Sequence, residues 1–363
     1  MRKAFKYRIY LTKGQRRILE QQLEEGRWRY NELLATRKRA YAAAGISLHL
    51  YDLQNMIPGL KLDRPSLTAV HSLVLQNVNS RVDVAFQAFF RRVREGAEAV
   101  GFPRFKGCGR YDSSTYPQYG NGVRLAGARL LLSKVGAVHI VLHRPVEGTP
   151  KTVTLTRAHT GKWFACFACA TAVEPLPPTG NVVGVDVGLS AFATRSDGGQ
   201  KIANPRFYRR DEADLQRVQQ RKDVTKHAEN WPEHTKQKGI LAKIYERIAN
   251  RRSDFAHKES RKRVNRYQVI GFEDLAPMEL GRSRGMRKSI LDVAWTQFIS
   301  MTVAKAAEVG RRVMLVAPRN PTKRCSSCGE MVPKFCNGDS FRCDNDAMGW
   351  GSIPLKPRRL RDC

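Results

Sequence analysis

The sequence predicts an α+β multidomain protein: a small β-barrel interrupted near its start by a helical segment, followed by an α/β domain. Three observations predict it. Phe5, Tyr7, Ile9 and Leu11 alternate with Lys6, Arg8 and Tyr10, and short strands spaced by glycine and proline turns follow from residue 123. Between them lie two stretches with helical stripes. After the proline-rich linker Glu174-Pro-Leu-Pro-Pro-Thr-Gly180 come two apolar strands, each bearing one acid, Asp186 and Glu273.

The composition points to a polyanionic partner. With 64 Lys+Arg against 33 Asp+Glu in 363 residues, the net charge is +31, which repels itself in the folded state and favours nucleic acid as the ligand. No apolar run approaches the ~20 residues that span a bilayer, and Met1-Arg-Lys-Ala-Phe-Lys-Tyr-Arg8 lacks the apolar core of a signal peptide. The expectation is a cytoplasmic protein with no membrane partner, its eight cysteines serving as thiols or metal ligands rather than disulfides.

In chain order, the first strand carries a basic outer face, Lys6 and Arg8. Thr12-Lys-Gly-Gln15 reads as a capping box that starts a helix, with Leu19, Leu23, Tyr30 and Leu34 on its apolar stripe and Gly45 beyond its end. A second helical region spans about 66–94, with Val74, Val78, Val82, Phe86, Phe89 and Phe90 on one side and Arg81, Arg91, Arg92 and Arg94 outside. Phe102-Pro-Arg-Phe-Lys106 is a basic-aromatic segment suited to backbone and base-stacking contacts through Arg104 and Lys106. Val123–Leu125, Ala137–Leu142, Lys151–Leu155 and Trp163–Cys169 read as barrel strands. Cys166 and Cys169 face opposite ways on such a strand, which makes them ordinary strand cysteines.

Val182, Val183, Val185 and Val187 read as a strand covered on both faces, interrupted by Asp186. A carboxylate there requires a partner or a metal, the arrangement that opens a nuclease of the RNase H type. Leu189–Thr194 is its returning strand. Helices are expected over 207–222 and 238–264. In the second, ten basic residues face three acidic ones between 237 and 266, and Arg247, Arg251 and Arg252 are candidates for phosphate contact. Val269-Ile-Gly-Phe-Glu-Asp-Leu275 places Glu273 on a second buried strand, 87 residues after Asp186; two-metal phosphodiester hydrolysis draws its carboxylates from different strands. Asp292 is expected to cap the helix holding Trp295, Phe298 and Met301, and 313–317 to form a further strand. Cys325-Ser-Ser-Cys328-Gly329 is a zinc-knuckle turn. Cys343 stands where a second ligand pair begins, about fifteen residues on; its Cys-x-x-Cys partner position holds Asp346, so Cys336 or Asp346 is left to complete the Zn²⁺ site, or the ribbon no longer binds metal.

Together these motifs resemble the TnpB/OrfB proteins of insertion sequences, the ancestors of type V CRISPR effectors. The resemblance covers residues 1 to about 343. It rests, in order, on Phe5-Lys-Tyr-Arg-Ile-Tyr-Leu11, Tyr30-Asn31, Ala85-Phe-Gln-Ala-Phe-Phe90, Phe102-Pro-Arg-Phe-Lys106, Gly161-Lys-Trp163, Gly184-Val-Asp-Val-Gly188, Ile248-Ala-Asn-Arg-Arg252, Gly271-Phe-Glu-Asp-Leu275 and Cys325-Ser-Ser-Cys-Gly329. It implies a β-barrel wedge domain (1–11 and 101–175) with a helical recognition domain inserted (12–100). A RuvC/RNase H-like nuclease domain (176–320) and a degenerate zinc ribbon (321–346) would follow. It further implies a guide RNA from the protein's own locus, a target DNA, and Mg²⁺ or Mn²⁺ held by Asp186 and Glu273 as the first two RuvC acids.

One departure matters. The family's third acid comes from an Asp-Arg-Asp-x-Asn-Ala-Ala helix, whereas 347–363 form an atypical tail in which Pro354 and Pro357 oppose a helix. Three functions compete on these grounds: a guide-RNA-dependent DNA endonuclease, a guided DNA-binding protein without cleavage, and a nonspecific basic binder. The strand-borne acids favour the first two, and the tail separates those two from each other.

Overall fold

The computed structural model describes residues 1–226, 231–274 and 284–316. Contacts divide the chain into two compact units, Met1–Pro175 with Arg210–Arg251, and Leu176–Arg209 with the residues from Arg252 on. Among the described residues no helix is long and apolar enough to cross a membrane.

In the first unit, β1 (Arg2–Tyr10) runs into the 32-residue α1 (Lys13–Ala44). The capping box forms as expected: Thr12 Oγ1 accepts from Gln15 N at 3.2 Å and Gln15 Oε1 from Thr12 N at 3.1 Å. The second amide atom of Gln15 is also engaged, Nε2 donating to Ala137 O at 2.9 Å. Gly45 ends α1 in the left-handed conformation (φ 67°), releasing the chain without a Cβ clash. Then come α2 (Leu50–Asn55), α3 (Ile57–Asp63), a 3-10 turn (Pro65–Ala69) and α4 (Ser72–Arg94). α4 buries Val74, Val78, Val82 and Phe86 against the core.

The strands β2 (Ser113–Tyr116), β3 (Val123–Ala126), β4 (Arg129–Leu132), β5 (Gly136–Val141), β6 (Thr149–Arg157) and β7 (Trp163–Ala170) join β1 in a barrel-like antiparallel sheet ordered β2-β6-β7-β1-β5-β4-β3. Inward residues alternate along it, with Phe5, Tyr7 and Ile9 of β1 and Trp163, Ala165, Phe167 and Cys169 of β7 essentially inaccessible. Arg81 of α4 turns inward, donating to Ser113 O (2.9 Å) and Thr115 Oγ1 (2.9 Å) of β2. Residues 210–251 join this unit through Glu246, which pairs with Lys162 at 2.8 Å and accepts from Thr160 at 3.2 Å.

His71 caps α4, its Nδ1 accepting from Leu73 N at 3.3 Å. Burial, then Lys134 and Lys61, lower its pKa below the ordinary histidine value of 6.5. Protonated Nδ1 cannot accept. The unfolded chain takes up its proton first, so the cap's contribution is present above pH 6.5 and is lost as pH falls through the folded value. His71→Asn, which caps without titrating, is expected to cost little at pH 7.5 and to gain on wild type by about 1 kcal/mol at pH 5; thermal melts at the two pH values measure the difference, and parallel shifts would exclude the titrating cap.

The second unit is a sheet ordered β10-β9-β8-β11-β12, built from β8 (Val182–Val187), β9 (Ala191–Arg195), β10 (Ile202–Ala203), β11 (Val269–Glu273) and β12 (Arg312–Val316). β8, β11 and β12 are parallel and β9 antiparallel to β8. The helices among the described residues of the chain's second half are α5 (Phe207–Val224), α6 (Trp231–Arg266), α7 (Arg284–Val293) and α8 (Trp295–Glu308). Phe298 of α8 is fully buried, with Phe192 and Phe272 edge-on at 5.1 and 5.5 Å.

Two expectations are corrected here. β8 is not covered on both faces: Val183, Val185 and Val187 are buried, but Val182 is 65% exposed and Asp186 lies on the exposed side. Its pattern is that of a half-buried strand whose helices cover one face. Asp292 does not cap the Trp295 helix, whose cap position is Ala294. It sits in α7 and accepts instead from Tyr208 N (2.8 Å) and Arg209 N (3.4 Å) at the start of α5, and from Arg252.

Candidate functional site

Asp186 and Glu273 meet through strand register. The parallel β8–β11 ladder pairs Val183 with Ile270, Gly184 with Gly271 and Val185 with Phe272. Each acid is the next residue, so the two stand side by side on strands ~4.8 Å apart and on the same face. They sit at the carboxyl ends of parallel strands, where open α/β sheets bind their ligands. Gly184 and Gly271 precede them on that face and leave it low; a Cβ on either would meet no atom nearer than 3.5 Å. Thr194 lies opposite Asp186 on β9 and Val316 beside Glu273 on β12. Sequence reasoning passed over Thr194, whose hydroxyl is buried without a hydrogen-bond partner among the described residues; the hairpin register was the signal that would have found it.

Two neighbouring carboxylates on an open face are the oxygen donors a hard divalent cation takes. Among the described residues no third His, Cys, Asp or Glu joins them. The expected zinc ligands Cys325, Cys328, Cys336, Cys343 and Asp346 lie outside the described residues, as do 275–283.

The expected basic contacts divide into two kinds. On the outer face of the barrel Lys6 Nζ stands 4.3 Å from the Phe164 ring centroid, and the Arg8 guanidinium lies 5.2 Å from both Phe164 and Tyr10. Tyr10 pairs across the sheet with His139, their rings 6.0 Å apart. This row alternates cations with flat rings, the profile of a stacking surface for nucleic acid. Phe164 and His139 were not singled out in the sequence, because only the β1–β7 and β1–β5 pairings bring them beside Lys6, Arg8 and Tyr10. Arg104 is exposed in an irregular segment. Lys106 is fixed by its backbone to Asn31 (2.8 and 2.9 Å), with Nζ 5.5 Å from the Tyr30 ring.

The helical arginines are already paired. Arg247 and Arg251 converge on Asp211 of α5 at 2.9 and 3.3 Å, and Arg252 binds the buried Asp292 at 2.6 Å. Arg247 and Arg251 keep nearly half their side chains exposed, whereas Arg252 keeps 23%.

Three family models match the chain. Residues 152–283 match OrfB of IS605, described as a probable transposase. Residues 1–45 match a helix-turn-helix domain of the same group, although here they form one strand and one uninterrupted helix. Residues 295–349 match the Cas12f1-like TNB domain. Two curated proteins are similar over most of their length. One, of Streptomyces pristinaespiralis, is named "Putative RNA-guided DNA endonuclease" and is 31% identical over 356 residues, 96% of this chain and 86% of its own. The other, InsQ of Escherichia coli K12, carries the same description and is 30% identical over 290 residues, 74% of this chain and 68% of its own. A solved Cas12f1–sgRNA–target DNA complex contains a chain of similar fold, with a TM-score of 0.54 at 13% identity, covering 90% of this chain and 79% of that one.

Proposed function

Since the chain belongs to the OrfB/TnpB family of insertion-sequence proteins, we propose that it is an RNA-guided DNA endonuclease with a RuvC-type centre whose cleavage is impaired by the departure in the tail. The observation that carries the reading is the Asp186–Glu273 pair at matching register on two parallel strands. The strand order, with an antiparallel hairpin on one side of β8 and parallel strands on the other, supports an RNase H-like domain. Asp186 and Glu273 would hold Mg²⁺ or Mn²⁺. A divalent ion there supplies an activated water and charge stabilisation at the scissile phosphate. The barrel row of Lys6, Phe164, Arg8 and Tyr10 would hold the guide RNA, and the exposed Arg104 would add phosphate contact. Cys325, Cys328 and Cys343, with Cys336 or Asp346, would hold Zn²⁺ partially.

A second reading is a guided DNA-binding protein that does not cleave. The specific observation in its favour is the tail: Asp-x-Asn-Ala-Ala is absent, and Pro354 and Pro357 fall where the helix bearing the third acid belongs.

Purification from cells carrying the native locus is expected to bring down one structured RNA encoded beside the gene, with binding that weakens steeply as salt rises. Sequencing the bound RNA checks this. Bulk RNA of random sequence would instead indicate a nonspecific basic binder.

A further inference from the structure

A groove of about 490 Å³ opens in the helical segment, lined from α1 by Arg37, from α2 by Tyr51 and from α4 by Asp83, Phe86, Gln87 and Phe90. The volume is of the size that small organic ligands fill. Phe86 is nearly buried, and the Arg37 guanidinium lies 4.5 Å from its ring centroid. Tyr51 and Phe90 are 75% and 51% exposed. Phe90 is braced by Phe86 and Phe89 at 6.2 and 5.2 Å, so its orientation is held by neighbouring rings.

The polar groups are specific. Arg37 donates twice to Leu48 O and once, at 3.0 Å, to Asp83 Oδ1, while its Nη1 is buried with no acceptor. Gln87 Nε2 donates to Asp83 Oδ2 at 2.7 Å. Each Asp83 oxygen therefore has capacity for another donor, and the Gln87 amide nitrogen has a second proton. An apolar peptide side chain would leave the partly exposed Asp83 carboxylate desolvated with no further donor, which costs free energy. A flat ring with hydrogen-bond donors in its plane answers the carboxylate.

We propose that this groove takes one unpaired nucleobase from a single-stranded stretch of bound nucleic acid, guanine by preference. Tyr51 and Phe90 stack on the base. Asp83 accepts from the adjacent N1–H and N2–H groups that guanine alone among the common bases presents together. The proposal rests on the nucleic-acid-binding reading above and adds to it a discrete base subsite.

The test uses the full chain freed of RNA by high salt, with fluorescein-labelled dT12, dT12 carrying one central dG, and the duplex of the latter, read by anisotropy. Wild type is expected to favour the dG strand over dT12. Tyr51→Ala with Phe90→Ala, both exposed and checked for folding by circular dichroism, is expected to weaken strand binding about tenfold or more and to erase the preference. Duplex affinity stays constant. A 5-iodouracil placed beside the dG is expected to cross-link within residues 37–90. Equal loss for strand and duplex, no loss for either, or cross-links confined to the barrel would overturn the proposal and leave the groove to a protein partner. Failure of wild type to bind strand or duplex would sink the nucleic-acid reading itself, and this subsite with it.

Discussion

Replacing Asp186 by alanine is expected to remove guided DNA cutting, by on the order of 10³-fold or more, while leaving the RNA complex intact. Asp186 is flanked in the sheet by Glu273 on one side and Thr194 on the other, so its loss leaves one strand-borne carboxylate where the proposed centre uses two to fix a divalent ion. The barrel row proposed to hold the guide RNA lies in the other unit. The measurement needs two backgrounds, because the tail lacks an Asp-x-Asn-Ala-Ala motif. The unaltered chain, with its native guide RNA, matched duplex and Mg²⁺, is expected to cut weakly or not at all. A version carrying an Asp-x-Asn-Ala-Ala tail grafted after Cys343 is expected to cut. Asp186→Ala should silence the grafted version. Cutting that survives Asp186→Ala would refute the site, and strong cutting by the unaltered chain would refute the impairment.

The largest effect on stability is expected at Asp292. Its side chain is 3% exposed and takes four hydrogen bonds, two from Arg252 and two from the first amides of α5. Asp292→Ala strands the Arg252 guanidinium, which is 23% exposed, and uncaps the helix. Breaking a buried pair from one side costs about 3 kcal/mol or more, and a lost cap adds about 1 kcal/mol. Asp292→Asn keeps an acceptor for the amides and is expected to fall between. Urea unfolding of the second unit, followed by the fluorescence of the buried Trp295, reads the change; a loss below about 1 kcal/mol would mean that the pair is dispensable.

What could be read from sequence was what periodicity or local chemistry writes down. The Phe5–Tyr7–Ile9 alternation, the Thr12–Gln15 box and the acids on two strands all depend on neighbours within a few residues, and each is found in the fold. β2 and β4 were missed. Ser113-Ser-Thr-Tyr116 has little apolar content to alternate, and Arg129-Leu-Leu-Leu132 breaks alternation, so only pairing to β6 and to β3 and β5 makes them strands. Asp292 was given a local cap because Asp before a helix is ordinarily one. Its actual partners are Arg252, 40 residues away, and Tyr208, 84 residues away, and no local pattern encodes such distances. The same holds for Arg247 and Arg251, whose partner Asp211 lies 36 and 40 residues away.

Gln15 belongs to two structures at once. It closes the cap of α1 and, through its amide nitrogen, holds Ala137 of β5; at the far side of the helical segment Arg81 grips β2. The segment between β1 and the remaining barrel strands is thus an insertion in sequence order but not a separable cassette. A chimera that exchanged residues 12–100 for those of a relative would have to bring donors at positions 15 and 81 that reach these barrel acceptors, or lose the struts that tie the helices to the sheet.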